Sequence, residues 1–520
     1  MTDRRSGGHE REGTPLTDLG LTELLTRLQA RRLSSRELVE AHIARIEQVN
    51  PAINALVAER FAAARAEAEA ADARYAAAAA AGEDPRSLPP LLGVPCSIKE
   101  FVAVAGMPLS AGCTARRGQR ASADATVTAR LKAAGAIVLG VTNVPEGGLW
   151  METYNHIYGR TNNPFDIEHT PGGSSGGEAA LLAAGGSVFG IGSDVGGSIR
   201  IPSAFCGVVG HKPSAGLVPN TGHFPPAPPP GADYLATGPL CRRVADVLPV
   251  LRVIAGPDGQ DAAAGPLVLG DPASVRLDEL TVYPLHAAGR VRASRRLQQA
   301  VDDATAAVTG TGEHGGPGGH GARRGELAVD LSRRFELWTA AMTSAHPQGY
   351  GPILTDGGQL PLWRELLRLP FGRSSFILPS LVMVLGERVV RRLGLQDGHH
   401  LARIPTLRAE LDAALGDRGV IIHPPYSRTA PRHGSALLTP FDFGFTSLWN
   451  ILGYPVTVVP LGFDDQGLPV SVQVIARHGQ DHLTLAVAAA IERRFGGWQR
   501  AEPSPPQRRQ RPATLVHGLA

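Results

Sequence analysis

Residues 171–200 read PGGSSGGEAALLAAGGSVFGIGSDVGGSIR, two glycine-flanked serine clusters joined by an apolar stretch. Taken alone, each cluster reads as a flexible linker or a phosphate-cradling loop. The stretch between them argues otherwise. EAALLAAGG reads as a helix and SVFGIGS as a strand, so each cluster borders regular structure.

The same alternation extends upstream. SSRELVEAHIARIEQVNP places Ser34 three residues before Glu37, a capping box, with Leu38, Val39, Ile43, Ile46 and Val49 at helical spacing and Pro51 as the expected stop. An alanine-rich helix is expected from Val57 to Ala81, then a short buried strand in LLGVPCSIKE that ends on Lys99. SADATVTARLKAAGAIVLGVTN predicts a helix capped by Ser122 and closed by Gly135, followed by a strand from Ala136 to Val141. Helix and strand alternate, so the fold class is α/β.

The 520 residues carry a net charge of +3, with 43% hydrophobic and 19% charged residues, which fits a soluble protein with an ample core and implies no nucleic-acid partner. Cys96, Cys113, Cys206 and Cys241 lack metal-ligand spacing and read as reduced core residues. The N-terminus is polar, without the apolar run of a secretion signal, and no apolar run approaches the ~20 residues of a membrane span. A cytoplasmic location is expected. Residues 1–14 and 501–520 read as disordered tails around a single domain at 15–500. The proline-rich 219–230 reads as an extended loop and the glycine-rich 309–325 as a mobile one, where His314 and His320 are read as solvated rather than as metal ligands.

A P-loop requires a lysine that both serine clusters lack, Gly190, Gly192 and Gly196 give only a loosened dinucleotide fingerprint, and no G-x-S-x-G elbow is present. What remains is a serine nucleophile with a base other than histidine. Lysine serves only when neutral, which requires burial to depress its pKa. Lys99, after an apolar run, suits that need, and Lys212 in GHKPS is the weaker candidate. Gly196 and Gly197 let the backbone curl so that the N–H groups of Val195, Gly196, Gly197 and Ser198 converge on one oxygen atom, as an oxyanion hole requires. Gly172, Gly173, Gly176 and Gly177 let the first cluster approach the second.

These residues resemble the signature of the amidase signature family, Ser-cisSer-Lys amide hydrolases. The interval from Ser174 to Ser198 matches, and the resemblance extends through GVPCSIKE, GRTNNPFD, FCGVVGHKPS and the run 450–488, from about residue 15 to 500. It implies a central mixed β-sheet covered by α-helices on both faces, with a variable helical cap insertion at 256–434. Position by position it implies Ser198 as nucleophile, Ser174 as the serine after a cis peptide that relays the proton, and Lys99 as base. Ser175 is assigned to support of the network, and Asp194 and Arg200 to positioning. No metal or cofactor is expected.

Within the family, NHIYGRTNNPFD, GHKPSAGLVPN, TGPLCRR and DHLTLAVAAAIERRFGGW resemble the type-2 fatty acid amide hydrolases. A small hydrophobic carboxamide, fatty acyl or aryl, is therefore the expected substrate, with Gly148, Leu149, Trp150 and Met151 lining its pocket. The arginine-flanked apolar segment 362–395 is a candidate for transient contact with a membrane surface, and a homodimer is compatible with the resemblance. Two alternatives stay open: the A-type, glutaminase component of glutamyl-tRNA(Gln) amidotransferase, against which GHKPS and the 256–434 insertion speak, and a catalytically inactive binding protein.

Overall fold

The computed structural model describes residues 14–227, 230–310, 321–392 and 398–503. Most of both tails, much of the glycine-rich loop with His314 and His320, and two prolines of the proline-rich loop lie outside the described residues.

The architecture follows from which strands are buried on both faces. In β2 (Pro95–Lys99), β3 (Ile137–Thr142) and β4 (Phe189–Asp194) every residue is buried, the pattern of strands covered by helices on both sides. They pair in parallel, β4 beside β2 beside β3, with Cys96 opposite Phe189 and Ile98 opposite Ile191. The remaining strands of the large sheet are β1 (Leu56–Glu59), β5 (Val209–Lys212), β6 (Ala236–Cys241), β7 (Thr281–Pro284), β8 (Arg323–Arg324), β9 (Gly419–His423), β10 (Val456–Phe463) and β11 (Pro469–Ile475). Together they form one mixed sheet of 11 strands in the order β1-β3-β2-β4-β6-β5-β10-β11-β9-β7-β8. This is the α/β architecture expected, a mixed sheet flanked by helices. Because β2 and β4 run side by side in the same direction, their carboxyl ends bring Lys99 and Ser193 to one edge of the sheet, where crevices form.

Local chemistry explains the elements and the departures from expectation. The capping box closes as read, with Glu37 N–H donating to Ser34 Oγ at 3.1 Å and Ser34 N–H to Glu37 Oε2 at 2.9 Å. That helix, Ser35–Ile53, runs through Pro51, because the Asn50 carboxamide ties down the end by accepting from Ala55 and Leu56 N–H. It is also preceded by a helix at Leu21–Gln29 that the capping-box reading passed over. The alanine-rich helix is shorter than expected, Phe61–Ala80, since Leu56–Glu59 pairs with β3 as an edge strand. Ser122 caps nothing: the helix is Thr126–Ala133, and the segment before it is held by Ala125 N–H on the Ala103 carbonyl and by Asp124 bridging Ala105 N–H and Lys132. Gly135 ends that helix at φ +86° as anticipated.

The stretch 256–434 divides in two. β7, β8 and β9 complete the sheet, while the helices Arg334–Ala345, Leu362–Arg368, Leu378–Arg392 and Gly398–Leu415 lie between β8 and β9 in the chain. Two of them, Leu362–Arg368 and Leu378–Arg392, pack on Phe101 and Val144 and cover the site edge of the sheet. All four cysteines are free and buried.

Candidate active site

Lys99 is fully buried at the carboxyl end of β2, and three oxygen atoms surround its amine. Its Nζ lies 2.7 Å from Ser174 Oγ, 3.0 Å from Ser193 Oγ and 3.3 Å from the Ser193 carbonyl, with the Phe101 ring centroid 4.5 Å away. Burial pulls the Lys99 pKa down from its usual range to about 7, against the opposing pull of the Asp194 and Glu178 carboxylates. Glu178, buried in the helix Gly176–Ala183 and bonded to Ser97 and Thr142, is itself pushed up to about 7 by burial.

Ser174 reaches Lys99 because the first cluster folds tightly onto the second. Gly172 sits at φ +83°, and a Cβ there would stand 2.8 Å from Pro202 Cα. The Gly173–Ser174 peptide bond is cis. Ser175 N–H donates to the Ser198 carbonyl at 3.0 Å, joining the clusters through their backbones, while its hydroxyl meets the Ser193 carbonyl at 3.3 Å.

The second cluster is shaped by a buried ion pair. Arg200 donates to both Asp194 oxygens, at 2.8 and 3.0 Å, and to the Thr446 carbonyl at 2.7 Å. Asn450, on the same helix Gly444–Ile451, donates to the Asp194 carbonyl at 3.0 Å. Burial alone would raise the Asp194 pKa, but Arg200 outweighs it and holds the carboxyl well below the usual range. Asp194 also takes the N–H groups of Gly197, at 2.7 Å, and Ile199, at 2.9 Å. This corrects one expectation: Gly197 is not a free oxyanion donor. Its requirement is steric, since it sits at φ +134° with the Thr446 hydroxyl where a side chain would be. The N–H groups of Val195, Gly196 and Ser198 have no acceptor among the described residues.

Ser198 is partly exposed and opens on a cavity of about 190 Å³, continuous with solvent on one side. Ser174, Ser193 and the backbone of Val195–Gly197 line its floor; Gly148, Leu149, Trp150 and Met151 line one wall; Trp338, Met342 and Met383 reach it from the cap. Among the described residues no Asp, Glu, Lys or Arg side chain lines it. Ser198 Oγ makes no hydrogen bond to Ser174 Oγ, and catalytic bonds of this kind often tighten only in the Michaelis complex. Lys212, the other lysine considered, is buried in β5 with its amine on the Pro213 carbonyl and does not line the cavity.

Five participants escaped the sequence reading. Thr446 and Asn450 enter from a helix about 250 positions further along the chain, and Ser193 bridges Lys99 to His223, whose Nε2 stands 2.8 Å from the Ser193 hydroxyl. Only Glu178 left a signal of the same kind with no reading attached: one carboxylate inside an apolar helix, the mark of a buried, bonded acid.

The sequence matches the family described as Amidase over residues 37–315 and 397–485. It is 40% identical over 495 residues to fatty-acid amide hydrolase 2 of Homo sapiens, covering 93% of this chain and 90% of that protein. It is 33% identical over 498 residues to an acylamidase of Rhodococcus erythropolis, covering 91% of this chain and 95% of that protein. Among solved structures, 6-aminohexanoate cyclic dimer hydrolase superposes with a TM-score of 0.76 at 24% identity over 94% of this chain and 99% of that one, a likeness of fold.

Proposed function

This chain belongs to the amidase family and is an amide hydrolase related to fatty-acid amide hydrolase 2, and from that premise we propose that it cleaves hydrophobic carboxamides through an acyl-enzyme on Ser198. Neutral Lys99 takes the Ser174 proton as Ser174 takes that of Ser198, whose oxygen attacks the amide carbonyl. The negative oxygen of the tetrahedral intermediate is received by the N–H groups of Val195, Gly196 and Ser198. The proton returns through Ser174 to the leaving amine, the C–N bond breaks, and water repeats the sequence on the ester, releasing the carboxylic acid and regenerating Ser198. The observation that carries this reading is the 2.7 Å contact between a buried, depressed-pKa lysine and Ser174 at the floor of the cavity onto which Ser198 opens.

The lining supports the substrate class. Binding a zwitterion such as glutamine removes an ammonium and a carboxylate from water, which is costly without paired charges. The described lining offers none, and its walls are aromatic, methionine and aliphatic side chains. A long acyl chain or an aryl group recovers about 25 cal/mol per Å² of apolar surface buried there. This favours lipid-like or aryl amides over the glutaminase alternative.

The cap supports delivery of such substrates from a lipid surface. Trp363, Leu367 and Phe371 are 68%, 75% and 75% exposed around the helix Leu362–Arg368, beside Arg364, Arg368 and Arg373. Among the described residues no helix is long and apolar enough to cross a membrane.

The test is a panel of initial rates on oleamide, oleoyl ethanolamide, a short aryl amide and glutamine, with Ser198→Ala as control. Oleamide or oleoyl ethanolamide is expected to give the highest kcat/KM and Ser198→Ala to lose about 10⁴-fold or more. Preference for glutamine overturns the substrate class, and an active Ser198→Ala overturns the mechanism.

A further inference from the structure

His223 belongs to the proline-rich loop, which the backbone holds against the residues just after Lys99: Ala103 N–H donates to Gly222 and Phe224 N–H to Phe101, at 3.0 and 2.8 Å. Its ring is edge-on to Phe101, with centroids 5.8 Å apart, and one face opens on the cavity. Nδ1 lies 2.8 Å from the Pro225 carbonyl and Nε2 2.8 Å from Ser193 Oγ.

The polarity of this chain of contacts can be worked out from one end. A carbonyl only accepts, so Nδ1 carries the ring hydrogen, and a neutral ring then presents a lone pair at Nε2. The Ser193 hydroxyl must donate to that lone pair. Its oxygen is left to accept from Lys99. A neutral amine has two N–H bonds and one lone pair; two N–H bonds directed at Ser193 Oγ and the Ser193 carbonyl leave the lone pair for the third neighbour, Ser174 Oγ. That is the orientation a base for Ser174 requires.

We infer that His223 is a positioning residue for Lys99: its neutral imidazole fixes the direction of the Ser193 hydroxyl and thereby turns the lysine lone pair toward Ser174. The inference rests on the reading of Lys99 as base. Burial, with the nearby Lys99 charge, holds the His223 pKa down at about 4 against the pull of the Pro225 carbonyl, so the ring is neutral wherever Lys99 is. The charged groups that bear on the pair are Lys99 itself on β2, Asp194 at the end of β4 and Glu178 on the helix beneath. Without the imidazole acceptor the Ser193 hydroxyl turns to the Lys99 lone pair and competes with Ser174. Protonated Lys99 has no lone pair to offer, so in that state the hydroxyl is left unpaired, and the charged form of Lys99 is disfavoured.

The test measures kcat and KM for oleamide across about pH 5 to 9 on the full chain. His223→Leu is expected to lower kcat about tenfold, the consequence of an unpaired buried donor, and to move the acid limb to lower pH. His223→Gln, which can restore an acceptor oxygen, is expected to retain most of kcat. On a Ser193→Ala background the further effect of His223→Leu is expected to be under about twofold, because the coupled partner is gone. If His223→Leu does not fold, His223→Asn, too short to reach Ser193, must show the same lowered kcat and displaced limb. Equal damage from Leu and Gln, an undiminished effect on the Ser193→Ala background, or an unchanged profile overturns the inference. Lys99→Met separates the two levels: if it is active, the base assignment fails; if it is inactive while His223→Leu is normal, only the role of His223 fails.

Discussion

The amine of Lys99 stands 2.7 Å from the hydroxyl of Ser174, 75 residues further along the chain, and among the described residues no charged group is bonded to it. Its neighbours are two hydroxyls, a carbonyl and a phenyl ring. No carboxylate among the described residues is bonded to it to hold the charged form, so burial decides, and the pKa falls to about 7 against the more distant pull of Asp194 and Glu178.

Activity should therefore rise with pH as Lys99 loses its proton. The expected kcat/KM profile for oleamide has an acid limb near pH 7, fitted from rates in buffers of constant ionic strength. Glu178 favours the charged amine, so Glu178→Gln is expected to move that limb to lower pH. An acid limb that stays in place in Glu178→Gln would show that the titrating group is not Lys99.

The same burial costs stability, with a sign that can be checked. Unfolded Lys99 titrates near ~10.4, folded Lys99 near 7. Between these values the unfolded chain binds a proton that the folded chain does not, so this group's contribution rises with pH over that window and is flat below it. Lys99→Met keeps the volume and removes the penalty. It is expected to be inactive yet more stable near pH 7 by about 2 kcal/mol, after allowance for the serine hydroxyls left unpaired. Urea unfolding at pH 7 and 10 measures it; the gain should shrink at the higher pH.

How much of this was legible in the sequence depended on whether a residue's role is written in its neighbours. The serine clusters and Lys99 were, because each lies in a local context that is odd for a loop: serines among glycines beside apolar elements, and a lysine closing a buried strand. Ser193 and His223 were not. Ser193 looks like any polar strand end, and His223 is one histidine in a proline-rich loop that only the backbone pairing of Val102 with His223 brings to Lys99. Gly197 was legible as a necessary glycine but for the wrong reason, since nothing local shows that Asp194 takes its N–H or that Thr446 fills the space beside it. The strand Leu56–Glu59 was hidden because its four residues, three of them apolar in a row, merge with the alanine-rich helix that follows.

Arg200 is a structural clamp, so its loss should be felt in folding before catalysis. Arg200→Ala leaves Asp194 buried and unpaired, with an expected loss of about 3 to 5 kcal/mol by chemical denaturation. Arg200→Lys should recover little, because an ammonium cannot span both Asp194 oxygens, the Thr446 carbonyl and Asn450 from one planar fork. A stable, active Arg200→Lys would mean that the ion pair is dispensable for shaping the loop of Ser198.

Met383 lines the cavity from the cap helix Leu378–Arg392, while Ser198 lies on the floor between the end of β4 and the helix Arg200–Phe205. A larger side chain there should shorten the space available to an acyl chain without touching the reacting atoms. Met383→Trp is expected to lower kcat/KM for oleamide about tenfold or more, the scale of displacing several methylenes from an apolar site. The short aryl amide should change by less than about threefold, because its contacts end nearer the floor. Competing rates on the two substrates give the ratio directly. An unchanged kcat/KM for oleamide would place the acyl chain along the wall of Trp150 and Met151, and would make Met151→Trp the variant that discriminates by chain length.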